Sequence, residues 1–106
     1  MDHRPMGNYL EQGETIEAKA RAGDNTILVT DRRLVIEGDG RRLIDIPVDG
    51  LRRIQFDIEK RRPATLVFVP ESVEHQPQVL TVSAEQYQEV GSTLAVIGVR
   101  LERVSS

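Results

Sequence analysis

The chain has 106 residues, 39% of them hydrophobic, with no cysteine, no tryptophan and a net charge of −3. This length fits one domain with one core, and the absence of cysteine excludes a disulfide scaffold, a thiolate zinc site and a cysteine nucleophile. The charge balance argues against duplex nucleic acid as a partner, because such domains are strongly basic as a rule.

Residues 1–13 are mixed and polar, with Pro5, Gly7 and Gly13, and read as a flexible lead-in to a domain spanning 14–104. From Thr15 to Arg21 the apolar residues are Ile16, Ala18 and Ala20, a period of two that predicts a half-buried strand. Ala22 to Asn25 reads as a tight turn, and Thr26 to Thr30 as a second, β-branched strand. Asp31-Arg32-Arg33 interrupts it, and Leu34 to Glu37 forms a third. Gly38-Asp39-Gly40 supplies the positive φ angles of a tight antiparallel hairpin into a fourth strand, Arg42 to Val48. Asp49-Gly50 reads as another turn. Ile54, Phe56 and Ile58 again alternate, in a fifth strand followed by a charged loop, Glu59 to Pro63. Ala64 to Val69 is a nearly continuous apolar run, which predicts a central strand buried on both faces. After a polar loop, Gln78 to Val82 is a seventh short strand.

The period then changes. Tyr87, Val90, Leu94, Ile97, Leu101 and Val104 are spaced three and four apart, one apolar stripe along a C-terminal helix. Ser83 and Gln86 form the pattern of a capping box at its start. Gly91 and Gly98 weaken the helix, and are expected to let it lie close to a sheet. The expected class is mainly β: a seven-stranded antiparallel barrel or sandwich capped by one amphipathic helix.

This order resembles the bacterial pleckstrin-homology-like (PH-like) domains, and three short motifs carry the resemblance. They are Gly13-Glu14-Thr15-Ile16 at the first strand, Leu28-Val29-Thr30-Asp31-Arg32-Arg33-Leu34 between the second and third, and Ile46-Pro47-Val48-Asp49-Gly50-Leu51 after the fourth. The resemblance covers residues 11–104. It implies a compact barrel without a cofactor that serves as an interaction module, in some members as a homo-oligomer. The inositol-phosphate mode of eukaryotic PH domains uses basic residues around the first loop. Here that loop is very short and holds Asp24, which argues against phosphoinositide binding.

Catalytic signatures are missing from the sequence. There is no Gly-X-Ser-X-Gly elbow and no Gly-Lys pair for a phosphate-binding loop. His3 and His75 are the only histidines; His75 has Glu71 and Glu74 nearby, too few converging ligands for a metal site. No catalytic, cofactor-binding or metal-binding residue is therefore expected.

The charge is uneven. Residues 1–30 carry net −2, residues 31–62 net +2 and residues 63–106 net −3. Within the positive middle, Arg52, Lys60, Arg61 and Arg62 are the candidate surface for an anionic ligand, a membrane surface or an acidic partner. Asp31 and Arg33 are expected to pair and fix the turn between the second and third strands. No apolar run approaches the ~18 residues needed to span a bilayer, and the N-terminus lacks a signal-peptide pattern, so a cytoplasmic protein is expected. The leading expectation is a non-enzymatic module that docks a protein or assembles with itself, helped by open strand edges. The alternative is binding of an anionic small ligand or membrane surface through the loop arginines and lysine.

Overall fold

The computed structural model describes residues 10–60 and 62–105, with side chains through 101. Seven strands are present: β1 (Ile16–Ala22), β2 (Asn25–Thr30), β3 (Arg33–Gly38), β4 (Arg41–Pro47), β5 (Leu51–Asp57), β6 (Ala64–Pro70) and β7 (Gln78–Val82). The helix α1 (Tyr87–Ser105) follows a 3-10 turn at Ala84–Gln86. The strands form two antiparallel sheets, β1-β2-β3-β4 and β5-β6-β7. The expected mainly β sandwich with one C-terminal helix is the architecture found.

The turns follow from their residues. Asp39 and Gly40 both have positive φ (53° and 71°), the two-residue hairpin that Asp-Gly favours. At the β1–β2 turn Gly23 alone is positive, at 63°. A Cβ there would also stand 2.7 Å from the Thr81 carbonyl oxygen, so β1 and β7 meet closely at this corner. The second Asp-Gly pair behaves differently. Val48–Gly50 is a 3-10 turn that carries the chain from one sheet to the other, and Gly50 has no positive φ.

Alternation sets the core. Ala20 and Ala22 from β1, Ile27 and Val29 from β2, Leu34 and Ile36 from β3, and Ile44 and Ile46 from β4 face Leu66, Phe68, Leu80 and Val82 of the second sheet. Val90 and Ile97 of α1 complete it, with Tyr87, Leu94 and Leu101 packed alongside. The helical stripe is therefore core-facing wherever its side chains are described; Val104 lies outside them.

Two expectations need correction. β6 is not buried on both faces: Leu66 and Phe68 are buried, whereas Val67 and Val69 are half-buried and Thr65 is exposed. Among the described residues no second layer covers that side of the three-stranded sheet. Continuous burial occurs instead on β2 and β3, where Leu28 and Val35 stand opposite each other in register on the face turned from the core, and both are fully buried. Nor do the helix glycines ease packing. A Cβ on Gly91 or Gly98 would meet nothing within 4 Å. The helix packs mainly on β1, whose core face is Ala18, Ala20 and Ala22. The small residues that admit the helix are on the strand.

Candidate functional site

The three motifs read from the sequence meet at one end of β1. Gly13, at φ 83°, turns the chain so that the Glu14 carboxylate enters the fold, where its side chain is fully buried. Glu14 Oε2 accepts from Thr30 Oγ1 at 2.5 Å and from Arg33 Nε at 2.9 Å, and Oε1 accepts from Arg33 Nη2 at 3.0 Å. The Thr30 hydroxyl in turn accepts from the backbone N–H groups of Arg32 and Arg33, which shapes the β2–β3 turn. Arg33 also donates to both Asp45 oxygens, at 2.9 and 3.2 Å, and Arg42 donates to Asp45 as well. The hydrogen-bonded Arg33 guanidinium holds the Glu14 carboxyl down at about 2, and Glu14 pushes the Arg33 pKa up.

The expected Asp31–Arg33 pair is thus not the one that forms. Arg33 turns to Glu14 and Asp45, because its side chain lies on the outer sheet face beside β4. Asp31 fixes the turn by another route: its Oδ1 accepts from Thr15 N–H at 3.0 Å, and its own N–H donates to the Thr15 carbonyl at 2.9 Å.

A second constellation anchors the helix. Gln86 Oε1 accepts from Ser83 N–H at 3.1 Å, the reach-back of the capping box. The same side chain grips the β1–β2 turn, accepting from Gly23 N–H at 2.8 Å and donating to the Gly23 carbonyl at 3.2 Å. Further along, Arg100 donates to Glu17 and to the carbonyls of Thr30 and Asp31, each at 2.8 Å. Phe56 and Tyr87 meet edge to face, centroids 6.0 Å apart, and tie β5 to the helix start.

Between these anchors an open groove runs between α1 and the edge of β1 that faces away from β2. Its volume is about 520 Å³, and Glu17, Ala18 and Lys19 face Glu89, Ser92 and Val96 across it. Past Glu17 and Val96 it continues into a more apolar hollow of about 360 Å³ beside Ala95 and Val99. Ala22 and Asn25 close the two-residue turn, so alternation turns the backbone groups of Arg21 and Lys19 outward. Arg21 N–H donates to Glu89 Oε1 at 3.0 Å.

The basic candidates do not gather in one place. Arg52 stands near the start of β5 and lines a shallow hollow with Glu71, His75 and Pro77. Lys60 and Arg62 lie in the loop beyond the other end of that strand, roughly 20 Å away at ~3.3 Å per residue. Arg62 is 4.0 Å from Glu59, and both are well exposed. Arg61 lies outside the described residues, as does His3. Among the described residues no group of three histidine or carboxylate side chains is arranged to hold a metal ion, and no helix is long and apolar enough to cross a membrane.

Three features of this surface escaped the sequence reading: the burial of Glu14, the clamp of Gln86 on Gly23, and a buried Glu37 oxygen, Oε2, without a hydrogen-bond partner. Only the last carried a local signal, a lone acid closing the apolar run Leu34-Val35-Ile36.

No family model matches the chain, and no curated protein matches it in sequence. Among solved structures it is similar to the crystal structure of a pleckstrin homology domain from Shewanella amazonensis. The two share 18% identity with a TM-score of 0.64, over 87% of this chain and 78% of that one. A likeness at that identity speaks for the fold, and it agrees with the two sheets and the helix anchored across their corner. The chain has the fold of a bacterial PH-like domain.

Proposed function

We propose that residues 14–104 form a non-enzymatic interaction module that works through protein–protein contacts or self-assembly. The observation that supports this reading best is the groove between β1 and α1. A strand edge carries backbone donors and acceptors that can pair with an added strand. Here that edge borders an open groove, acidic at the Glu89 end and more apolar at the Val99 end. The anionic-ligand reading receives less support, because Arg52 stands a strand's length from Lys60 and Arg62.

Sedimentation velocity across a wide concentration range, with affinity capture from lysate, tests the proposal. The expected result is a defined oligomer or a reproducible partner, weakened at least tenfold by Ser92→Arg or Val96→Arg, which fill the groove from the helix side. A strict monomer that captures nothing would overturn it.

A further inference from the structure

The two sheets treat their outer faces differently. On the first, Leu28 and Val35 are fully buried. On the second, Val79 is 65% exposed and Val67 and Val69 are half-buried, with no layer over them among the described residues. Antiparallel register sets the outward side chains of this sheet in rows. The middle row is Gln55, Val67 and Val79. On one side of it Arg53 stands beside Val69, and on the other Asp57 stands in line with Thr65 and Thr81. Arg53 and Asp57 are both exposed, roughly 13 Å apart along β5 at ~3.3 Å per residue. The face is therefore apolar at its centre, with a cation at one end of its first strand and an anion at the other.

The loops beyond the two ends also differ in sign. Beyond Asp57 lies the basic loop, where Lys60, Arg61 and Arg62 outweigh Glu59. Beyond Val69, at the opposite end of β6, lies the loop that carries Glu71 and Glu74, both exposed.

Such a surface is complementary to itself. In a two-fold contact, residue i of one copy meets residue j of the other, and j meets i. If the axis runs across the strands along the middle row, valines meet valines and Arg53 faces the partner's Asp57, twice over. Each basic loop then comes over the acidic loop of the other copy. An axis along the strands would set each row against itself, and the oppositely charged ends would not meet. Face-to-face packing within about 30° of aligned is the usual way for two twisted sheets to close on each other.

We propose that the outer face of β5-β6-β7 docks a second copy of this chain in this antiparallel arrangement. This rests on the self-assembly side of the interaction-module reading, and it leaves the groove between β1 and α1 to a different partner. The face is only three strands wide, at the small end of specific interfaces, so a weak dimer with a Kd of roughly 0.1 mM is expected.

Sedimentation velocity of the full chain from about 10 μM to about 1 mM tests this. The expected result is a reversible monomer–dimer equilibrium, weakened at least tenfold by Val79→Glu, weakened severalfold by roughly 0.5 M sodium chloride, and unchanged by Val96→Arg. Arg53→Asp and Asp57→Arg each set like charges against each other at both contacts and should leave the chain monomeric. Mixed in equal amounts, these two variants should dimerise again, because each then offers the charge that the other needs. All three positions on this face are exposed, so the variants should keep the fold, which circular dichroism checks. A monomer at every concentration overturns the proposal, and so does a mixture that stays monomeric. Partner capture that is lost in Val96→Arg would still support the module reading in either case. A dimer broken by Val96→Arg but not by Val79→Glu would place self-assembly in the groove and overturn the proposal. A monomer that loses binding to phosphatidylserine vesicles, or to a captured protein, on Val79→Glu would give the face to that occupant and overturn it as well.

Discussion

Glu14 is a residue whose importance lies in the state it is held in. Its carboxylate is fully buried and takes hydrogen bonds from Thr30 and Arg33, which brings its pKa from 4.5 to about 2. A depressed carboxyl stabilises the fold above its unfolded pKa, and that contribution disappears as pH falls through the folded value. The stabilisation is thus complete above about pH 5 and is lost progressively towards pH 2. Glu14→Gln keeps the shape, removes the charge and leaves Arg33 with Asp45. We expect it to cost about 3–5 kcal/mol at pH 7, as breaking a buried pair does. Urea unfolding of both forms between pH 7 and pH 3 should show the gap narrowing below about pH 5, as the Glu14 carboxyl of the unfolded wild-type chain takes up its proton while the folded one stays ionised. A gap that stays constant over this range would mean that the ion pair contributes nothing through its charge.

At the scale of elements, the strands were legible and the way they dock was not. Alternation such as Ile16, Ala18, Ala20 reports which side of a strand faces the core, and the two-residue Asp39-Gly40 hairpin has a local cause in positive φ. Contacts such as Gln86 on Gly23 or Arg33 on Glu14 join residues 63 and 19 apart, and no local pattern announces them. The helix glycines show the same limit. Gly91 and Gly98 flank the apolar stripe, so either flank could have faced the sheet. Thr93 is buried and Gly91 and Gly98 are exposed, so α1 is rolled towards β1 and its glycine side faces solvent. With open space at both positions and helical φ, alanine removes backbone freedom from the unfolded chain without a clash. Gly91→Ala and Gly98→Ala should each raise stability by about 0.5–1 kcal/mol. Thermal unfolding followed by circular dichroism would show this as a higher Tm, and a lower Tm in either variant would place those positions against a neighbour.

On the scale of the whole molecule, the candidate site was only half visible in advance. The basic loop residues stood out in sequence because they are consecutive, yet β5 separates Arg52 from Lys60 and Arg62. Glu17, Glu89 and Val96 are scattered in sequence, and the packing of α1 on β1 brings them to one groove. Such gathering depends on the two sheets and α1 holding each other in place, and the core shows that they form one unit. Ile97 and Val90 belong to the same buried cluster as Phe68 of β6 and Ile27 of β2. The helix therefore has no core of its own with which to survive loss of the sheets, and the sheets lose one wall of theirs if it leaves. Unfolding should be a single cooperative event. Native-state hydrogen exchange checks this: the slowest amides of β6 and α1 should report the same opening free energy. Ile97→Ala, which leaves a cavity where helix and sheets meet, should lower both by the same amount, about 2–5 kcal/mol. A loss confined to α1, with β6 protection unchanged, would show the helix to be a detachable arm rather than a wall of the barrel.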